Sequence, residues 1–212
     1  MPGNEERPAG AQPDEDASRS HPSPDDPLRE RLLESEPAWT GRLLEVRVET
    51  RERADGARVR REVIVHPGAV AILALDGIGR LILVRQFRAP ADRSLLEIPA
   101  GTLDRDPVNG ALEEPGVAAR RELEEETGLR AARWERLGGF WTAPGFATEF
   151  IHLYLATDLQ PAGSGRAGPD EDEHLELVRL PWREAVAAVE RGELTDAKTI
   201  IGLLWLARRP GG

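Results

Sequence analysis

The sequence contains no cysteine, so disulfide bonds, thiolate nucleophiles and zinc sites with thiolate ligands are excluded. It also has no apolar run near the roughly 18 residues that a membrane-spanning helix requires. The N-terminus lacks the charged and then apolar pattern of a secretory signal. These absences predict a soluble, cytoplasmic protein that has no membrane partner.

Acidic residues outnumber basic ones, and the excess is concentrated at the N-terminus. The formal net charge is −10, and residues 1–36 carry ten acidic residues against four arginines. This balance argues against nucleic-acid binding through bulk electrostatics. The same segment is rich in proline and poor in large apolar residues, so we predict a disordered tail over residues 1–36. Within it, Leu28, Leu32 and Leu33 could form one short helix.

Alternating apolar residues predict an antiparallel β-sheet over residues 37–66. Residues 44–48 alternate between apolar and polar side chains, as a strand with one buried face does. Asp55-Gly56 is a typical hairpin turn, and residues 59–65 form the return strand. We therefore expect this N-terminal sheet to be separate from the domain that follows.

Residues 67–212 have the pattern of a larger α/β domain. Strands are predicted at residues 68–76, 80–87, 95–98, 134–140, 150–157 and 175–180, and helices at residues 182–191 and 195–208. One strongly polar helix lies between the third and fourth of these strands. Strands on both sides of one helix, followed by terminal helices, predict an α/β/α sandwich with a mixed sheet.

The polar helix carries a cluster of carboxylates. Glu122 lies three residues before Glu125 and four before Glu126, and residues at these spacings are neighbours on one helix face. Like charges at that spacing cost roughly 0.2–0.5 kcal/mol per pair, and a hard divalent cation with oxygen ligands offsets the repulsion. Arg121 lies four residues before Glu125, so it can hold that carboxylate in place.

The spacing of these residues resembles the signature of the Nudix hydrolases. Glu113 is followed, after seven residues, by Arg121–Leu123, then by Glu125–Glu126 and by Gly128–Leu129. The resemblance implies a Nudix-type α/β/α sandwich with a mixed sheet, to which the N-terminal antiparallel sheet is added. It also implies that the carboxylate helix binds the metal ion used in diphosphate hydrolysis.

The first part of the signature departs from the usual spacing. The signature begins with a glycine six residues before its first glutamate, but position 107 is proline here. The equivalent glycine, Gly101, lies twelve residues before Glu113. We interpret residues 105–110, which are rich in Asp, Pro, Asn and Gly, as a loop insertion.

Further segments resemble this family, and those from Pro144 onward are similar to its ADP-ribose pyrophosphatase branch. They are Arg85–Arg88, Glu97–Gly101, Pro144–Gly145, Glu171–Glu173 and Asp196–Thr199. The resemblance implies hydrolysis of ADP-ribose to AMP and ribose 5-phosphate. It also implies a homodimer in which the N-terminal sheet lines the partner's site.

The resemblance implies Mg²⁺ as the cofactor, with Mn²⁺ as an alternative. The implied metal ligands are Glu122, Glu125, Glu126, Glu173 and the backbone carbonyl of Ala100. The implied catalytic residues are Glu171 as general base, Glu125 as a base beside the metal, and Arg121. Whether Glu171 or Glu173 is the base stays open. The implied substrate-binding residues are Arg88 for phosphate, Glu149 for ribose hydroxyls, and Pro144 and Gly145 in the adjoining loop.

Two alternatives share the same residues. The signature specifies diphosphate chemistry but not the base or the sugar, so another nucleoside diphosphate-sugar such as GDP-mannose is the closest rival substrate. A catalytically inactive nucleotide-sensing module is the rival from a different class, because a shared fold does not guarantee a shared function. In such a module we would expect the carboxylates of the signature to be replaced. Here Glu122, Glu125 and Glu126 are all present.

Overall fold

The computed structural model describes residue 23, residues 26–163 and residues 174–209. Its first sheet has three antiparallel strands in the order β1 (Arg31–Thr40), β2 (Glu45–Glu52) and β3 (Arg58–Val65). The N-terminal antiparallel sheet is thus confirmed. Its first strand, however, begins at Arg31, inside the segment that we assigned to the tail, and the short helix expected around Leu32 is a strand instead.

The second sheet is built from seven strands. They are β4 (Ala69–Leu75), β5 (Arg80–Arg88), β6 (Arg93–Glu97), β7 (Ala100–Thr102), β8 (Leu129–Trp141), β9 (Phe150–Pro161) and β10 (Glu176–Pro181). The main order is β10-β5-β4-β9-β8, with β6 paired to β5 and β7 paired to β4. Strands β4 and β9 are parallel, whereas the other pairs are antiparallel. The predicted mixed sheet is therefore confirmed.

Helices cover both faces of this sheet, and β4 is therefore buried on both sides. One face packs residues such as Val70 and Ile72 against α1 (Pro115–Thr127). The other face packs residues such as Leu73 beneath α2 (Trp182–Glu190) and α3 (Ala197–Ala207). This arrangement is the predicted α/β/α sandwich. Among the described residues, no helix combines the length and apolarity needed to cross a membrane.

Local interactions determine both ends of α1. The Glu114 carboxylate accepts a hydrogen bond from the Val117 backbone N–H at 2.9 Å and so caps the first turn. Gly128 follows the last turn with φ 69°, a left-handed conformation that glycine adopts without a steric penalty. The apolar side of the helix, centred on Leu123, is buried against the sheet. The glutamates on the adjacent side therefore lie at the edge of the domain, where they line a cleft.

Candidate active site

A cleft of about 1150 Å³ lies between the N-terminal sheet and one end of the sandwich. It is lined by residues 40–45 between β1 and β2, residues 100–105, the start of α3 and the carboxylate face of α1. Both sheets thus contribute to one cavity. Most of the sequence-predicted site residues that the structure describes lie in its wall or directly behind it.

Arg121 organises the carboxylates of α1. Its Nη1 donates to Glu122 Oε1 at 2.7 Å and to Glu125 Oε2 at 2.9 Å, and its Nη2 donates to Glu113 Oε2 at 2.9 Å. Burial disfavours the charged guanidinium, but the hydrogen bond with Glu113, the charge of Glu122 and the hydrogen bond with Glu125 outweigh it and raise the pKa of Arg121. The arginine therefore stays charged and offsets the repulsion among these acids.

Glu122 and Glu126 converge on the start of β7, which contains Ala100 and Gly101. Glu126, only 6% exposed, accepts a hydrogen bond from the Ala100 backbone N–H at 3.0 Å through Oε2. The Glu122 carboxylate lies against Gly101, where an added Cβ would fall 2.0 Å from the carboxyl carbon. The absence of a side chain at Gly101 thus makes room for the carboxylate. Two predicted metal ligands from α1 and the predicted backbone ligand are brought together in this way.

These donors suit a hard cation that also binds the substrate. Among the described residues, no group of three or more His, Cys, Asp or Glu side chains is arranged to hold a metal ion. Arg121 bridges Glu122 and Glu125, while Glu126 accepts a hydrogen bond from the backbone at Ala100. Mg²⁺ in phosphate-processing sites commonly takes one or two carboxylates and completes its shell with water and phosphate oxygens. Two carboxylates beside the backbone at the start of β7 meet that requirement.

Gly101→Ala is expected to displace Glu122, because a methyl group there would overlap its carboxylate. We expect the affinity for Mn²⁺, measured by electron paramagnetic resonance, to fall at least about tenfold, and the hydrolysis rate to fall with it. Gly77→Ala is the matched control, since nothing lies within 4 Å of a Cβ at Gly77. A Gly101→Ala protein with unchanged Mn²⁺ affinity would show that Glu122 does not need this space.

The interval between Gly101 and Glu113 is a closed hairpin. The Glu113 backbone N–H donates to the Asp104 carbonyl oxygen at 2.8 Å, and Arg105 forms an antiparallel bridge with Leu112. The chain therefore leaves the cleft and returns to it at one place. This geometry explains how the inserted residues leave Glu113 in contact with Arg121, so the unusual spacing does not disrupt the signature.

A second network lies behind the cleft and centres on Glu97, which is 1% exposed. Arg88 donates to it in a bidentate manner, from Nε to Oε1 and from Nη2 to Oε2, both at 2.8 Å. Lys198 also donates to Glu97 and, at 3.0 Å, to Asp196. Sequence reasoning missed this role of Glu97. The sequence feature that could have indicated it is a charged residue at the end of an otherwise apolar strand segment.

Hydrogen bonds connect the start of α3 to the residues that precede β7. Asp196 Oδ2 accepts hydrogen bonds from the Thr199 backbone N–H at 3.0 Å and from its hydroxyl at 2.6 Å. The Thr199 hydroxyl in turn accepts the Ile98 backbone N–H at 2.9 Å. Because Ile98 lies two residues before Ala100, this link fixes the segment that leads into β7, where the predicted backbone metal ligand lies.

Glu149 lies on the opposite wall of the cleft. Its carboxylate accepts a hydrogen bond from the Thr142 hydroxyl at 2.7 Å and lies 3.7 Å from His66 Nε2. His66 Nδ1 accepts the Gly68 backbone N–H at 3.0 Å, so the proton of the neutral ring is on Nε2, facing Glu149. Burial lowers the pKa of His66, and the nearby Glu149 partly opposes this effect.

The remaining predicted site residues lie in an exposed turn, beside Glu97, or outside the described residues. Pro144 and Gly145 lie in an exposed turn and do not line the described part of the cleft. Arg88 does line it, although its guanidinium is also bound to Glu97. The predicted base and metal ligand, Glu171 and Glu173, lie outside the described residues, as does most of the glycine-rich loop that precedes them.

Comparisons with known proteins agree with this arrangement. The family model described as the NUDIX domain matches residues 65–201. An ADP-ribose pyrophosphatase of Bacillus subtilis (strain 168) is 40% identical over 179 residues, which cover 84% of this chain and 93% of the relative. A Bacillus methanolicus protein called methanol dehydrogenase activator is 39% identical over 179 residues, with the same two coverages.

Two further similarities concern substrate and fold. A GDP-mannose pyrophosphatase of Cronobacter sakazakii (strain ATCC BAA-894) is 35% identical over 167 residues, which cover 76% of this chain and 84% of the relative. A solved structure described as an ADP compounds hydrolase superposes with a TM-score of 0.71 at 27% identity. That superposition covers 85% of this chain and 94% of the other.

Proposed function

We propose that this chain, which belongs to the Nudix family, hydrolyses the diphosphate bond of ADP-ribose to AMP and ribose 5-phosphate. The observation that carries the proposal is the convergence of Glu122 and Glu126 on Ala100 and Gly101, at the start of β7 inside the cleft. The relatives called ADP-ribose pyrophosphatase and ADP compounds hydrolase support the choice of substrate.

The cofactor in this proposal is Mg²⁺, with Mn²⁺ as an alternative. Glu122, Glu126 and the Ala100 carbonyl would hold it, with Glu125 and Glu173 as further ligands. The ion would supply a more acidic bound water and would neutralise charge on the phosphates. Arg121 would act indirectly, by holding the carboxylates of Glu122 and Glu125 in position. The proton acceptor would be Glu171 or Glu173.

Substrate recognition would come from residues on both sides of the cleft. Arg88 is 40% exposed at its side chain, and its Nη1 makes no hydrogen bond within the part of the chain that the structure describes. That nitrogen can therefore bind a phosphate oxygen while Glu97 holds the rest of the guanidinium. The Glu149 carboxylate accepts the Thr142 hydroxyl at 2.7 Å and lies 3.7 Å from His66 Nε2, and its oxygens can also accept hydrogen bonds from ribose hydroxyls. Pro144 and Gly145 would contribute through the turn beside it.

GDP-mannose is the second candidate substrate, because a relative at 35% identity is called GDP-mannose pyrophosphatase. It would be cleaved by the same residues, since the chemistry takes place at the diphosphate. The homodimer and the cytoplasmic location stay predictions. Residues 40–45 of the N-terminal sheet line the cleft of their own chain, and in a dimer this sheet would also be placed to approach the partner's cleft.

A substrate panel tests the proposal. AMP release is measured from ADP-ribose, ADP-glucose, NADH and diadenosine polyphosphates, while GDP-mannose and 8-oxo-dGTP are followed through GMP and 8-oxo-dGMP. Each reaction is run with Mg²⁺ and with a chelator. We expect metal-dependent turnover with ADP-ribose as the preferred compound. A preference for another diphosphate would discard the substrate and keep the chemistry, whereas no turnover on any compound would favour the nucleotide-sensing module.

A further inference from the structure

The hairpin of residues 105–112 places a cation at the edge of the cleft, and we propose that Arg105 binds a phosphate group of the substrate. The inference rests on the proposed function, since it requires a nucleoside diphosphate in the cleft. Arg105 and its neighbour Asp104 both line the cleft, and the Asp104 carboxylate lies 3.5 Å from Arg121 Nη2. The backbone of Arg105 therefore lies beside the carboxylate cluster. A metal ion bound to these carboxylates and to the diphosphate would place the diphosphate at the same position.

The contacts of Arg105 distinguish it from three other cations that line the cleft. Arg88, Arg121 and Lys198 are each held by carboxylates of the chain. Within residues 26–163 and 174–209, Arg105 contacts no carboxylate, and its guanidinium makes a single hydrogen bond, from Nη1 to the Gly110 carbonyl oxygen at 3.2 Å. Most of its donors remain available, and a guanidinium matches a phosphate group in both charge and geometry.

The hairpin also fixes the backbone from which this side chain extends. The Asp106 carboxylate accepts the Val108 backbone N–H at 2.7 Å and the Asn109 backbone N–H at 3.2 Å, which closes the turn. The bridge between Arg105 and Leu112 closes the base. A preorganised backbone reduces the conformational entropy that is lost when a ligand binds. The insertion thus has the properties of a rigid support for one basic side chain.

The hairpin can be removed by a deletion that restores the usual spacing of the signature. Deletion of residues 105–110 leaves five residues between Gly101 and Glu113, which is the usual spacing of the Nudix signature. Asp104 would then lie three residues before Glu113, and their present hydrogen bond of 2.8 Å would become the closing bond of a β-turn. The deletion is therefore expected to remove Arg105 without displacing Glu113.

The test is a calorimetric titration with the non-hydrolysable α,β-methylene analogue of ADP-ribose in the presence of Mg²⁺. We expect Arg105→Gln to weaken binding at least about tenfold, since hydrogen bonds to charged groups are among the stronger ones. The deletion variant should lose affinity to the same extent. Arg130→Gln is the matched control, because Arg130 is an exposed arginine of β8 that does not line the described cleft. Thermal unfolding of each variant verifies the fold.

The outcomes separate this inference from the proposed function. If the wild-type protein binds the analogue and Arg105→Gln binds it equally well, the inference is wrong while the proposed function stands. If only the deletion variant loses affinity, the hairpin acts through its shape and Arg105 is not the phosphate contact. If the wild-type protein does not bind the analogue, both proposals fail together.

Discussion

Glu126→Gln is expected to reduce turnover of ADP-ribose about a thousandfold, comparable to the loss of a key electrostatic contact in other active sites. Glutamine keeps the size of the side chain, and its oxygen can still accept the Ala100 N–H that now donates to Glu126. What it removes is one negative charge from the pair of acids at Ala100 and Gly101, the start of β7. A divalent cation bound there depends on that charge, so the fold should be retained while turnover is lost.

Glu124→Gln is the matched control for this prediction. Glu124 belongs to the same helix but does not line the cleft, so we expect near-normal turnover from this variant. Mn²⁺ titration by electron paramagnetic resonance gives a readout that does not depend on the substrate, and only Glu126→Gln should weaken binding. A Glu126→Gln protein with a near-normal rate would remove the argument for a metal beside Ala100 and would reopen the choice of function.

Features determined by local sequence were the ones that sequence reasoning predicted well. Helix α1 is fixed by Glu114 at its start and by Gly128 at its end, and both residues act within a few positions of themselves. The ion pair between Arg121 and Glu125 follows from helical spacing alone. The sheets were predictable for a similar reason, because β4 is buried on both faces and its strand is continuously apolar.

Features that depend on distant pairing were missed. Strand β1 is exposed along most of its length and is held by backbone hydrogen bonds to β2, so its side chains carry little alternation to recognise. Glu97 meets Lys198 across 101 positions of sequence, a pairing that no local pattern reports. The insertion was recognised from its spacing, but its closure depends on the backbone contact between Asp104 and Glu113.

Glu97→Gln is expected to lower the free energy of unfolding at neutral pH by about 3 kcal/mol, which is typical when one partner of a buried ion pair is removed. For a domain of this size the melting temperature should fall by roughly 6–12 °C. The substitution leaves Arg88 and the mostly buried Lys198 without their shared carboxylate. Glu135→Gln is the control, because Glu135 also pairs with an arginine, Arg209, but is half exposed; it should cost under about 1 kcal/mol.

The pH dependence gives the sharper test of the role of Glu97. Burial alone would raise the pKa of Glu97, but the Arg88 hydrogen bonds and the charge of Lys198 outweigh it and hold the pKa below its ordinary value of about 4.5. A carboxyl group whose pKa is lower in the folded state stabilises the protein fully above its unfolded pKa and loses that effect as pH falls through the folded pKa. The stability difference between wild type and Glu97→Gln, measured by urea unfolding, should therefore be constant near neutral pH and shrink below about pH 4.5. A difference that persists unchanged into acid would mean that Glu97 stabilises the fold by packing, and that its charge contributes little.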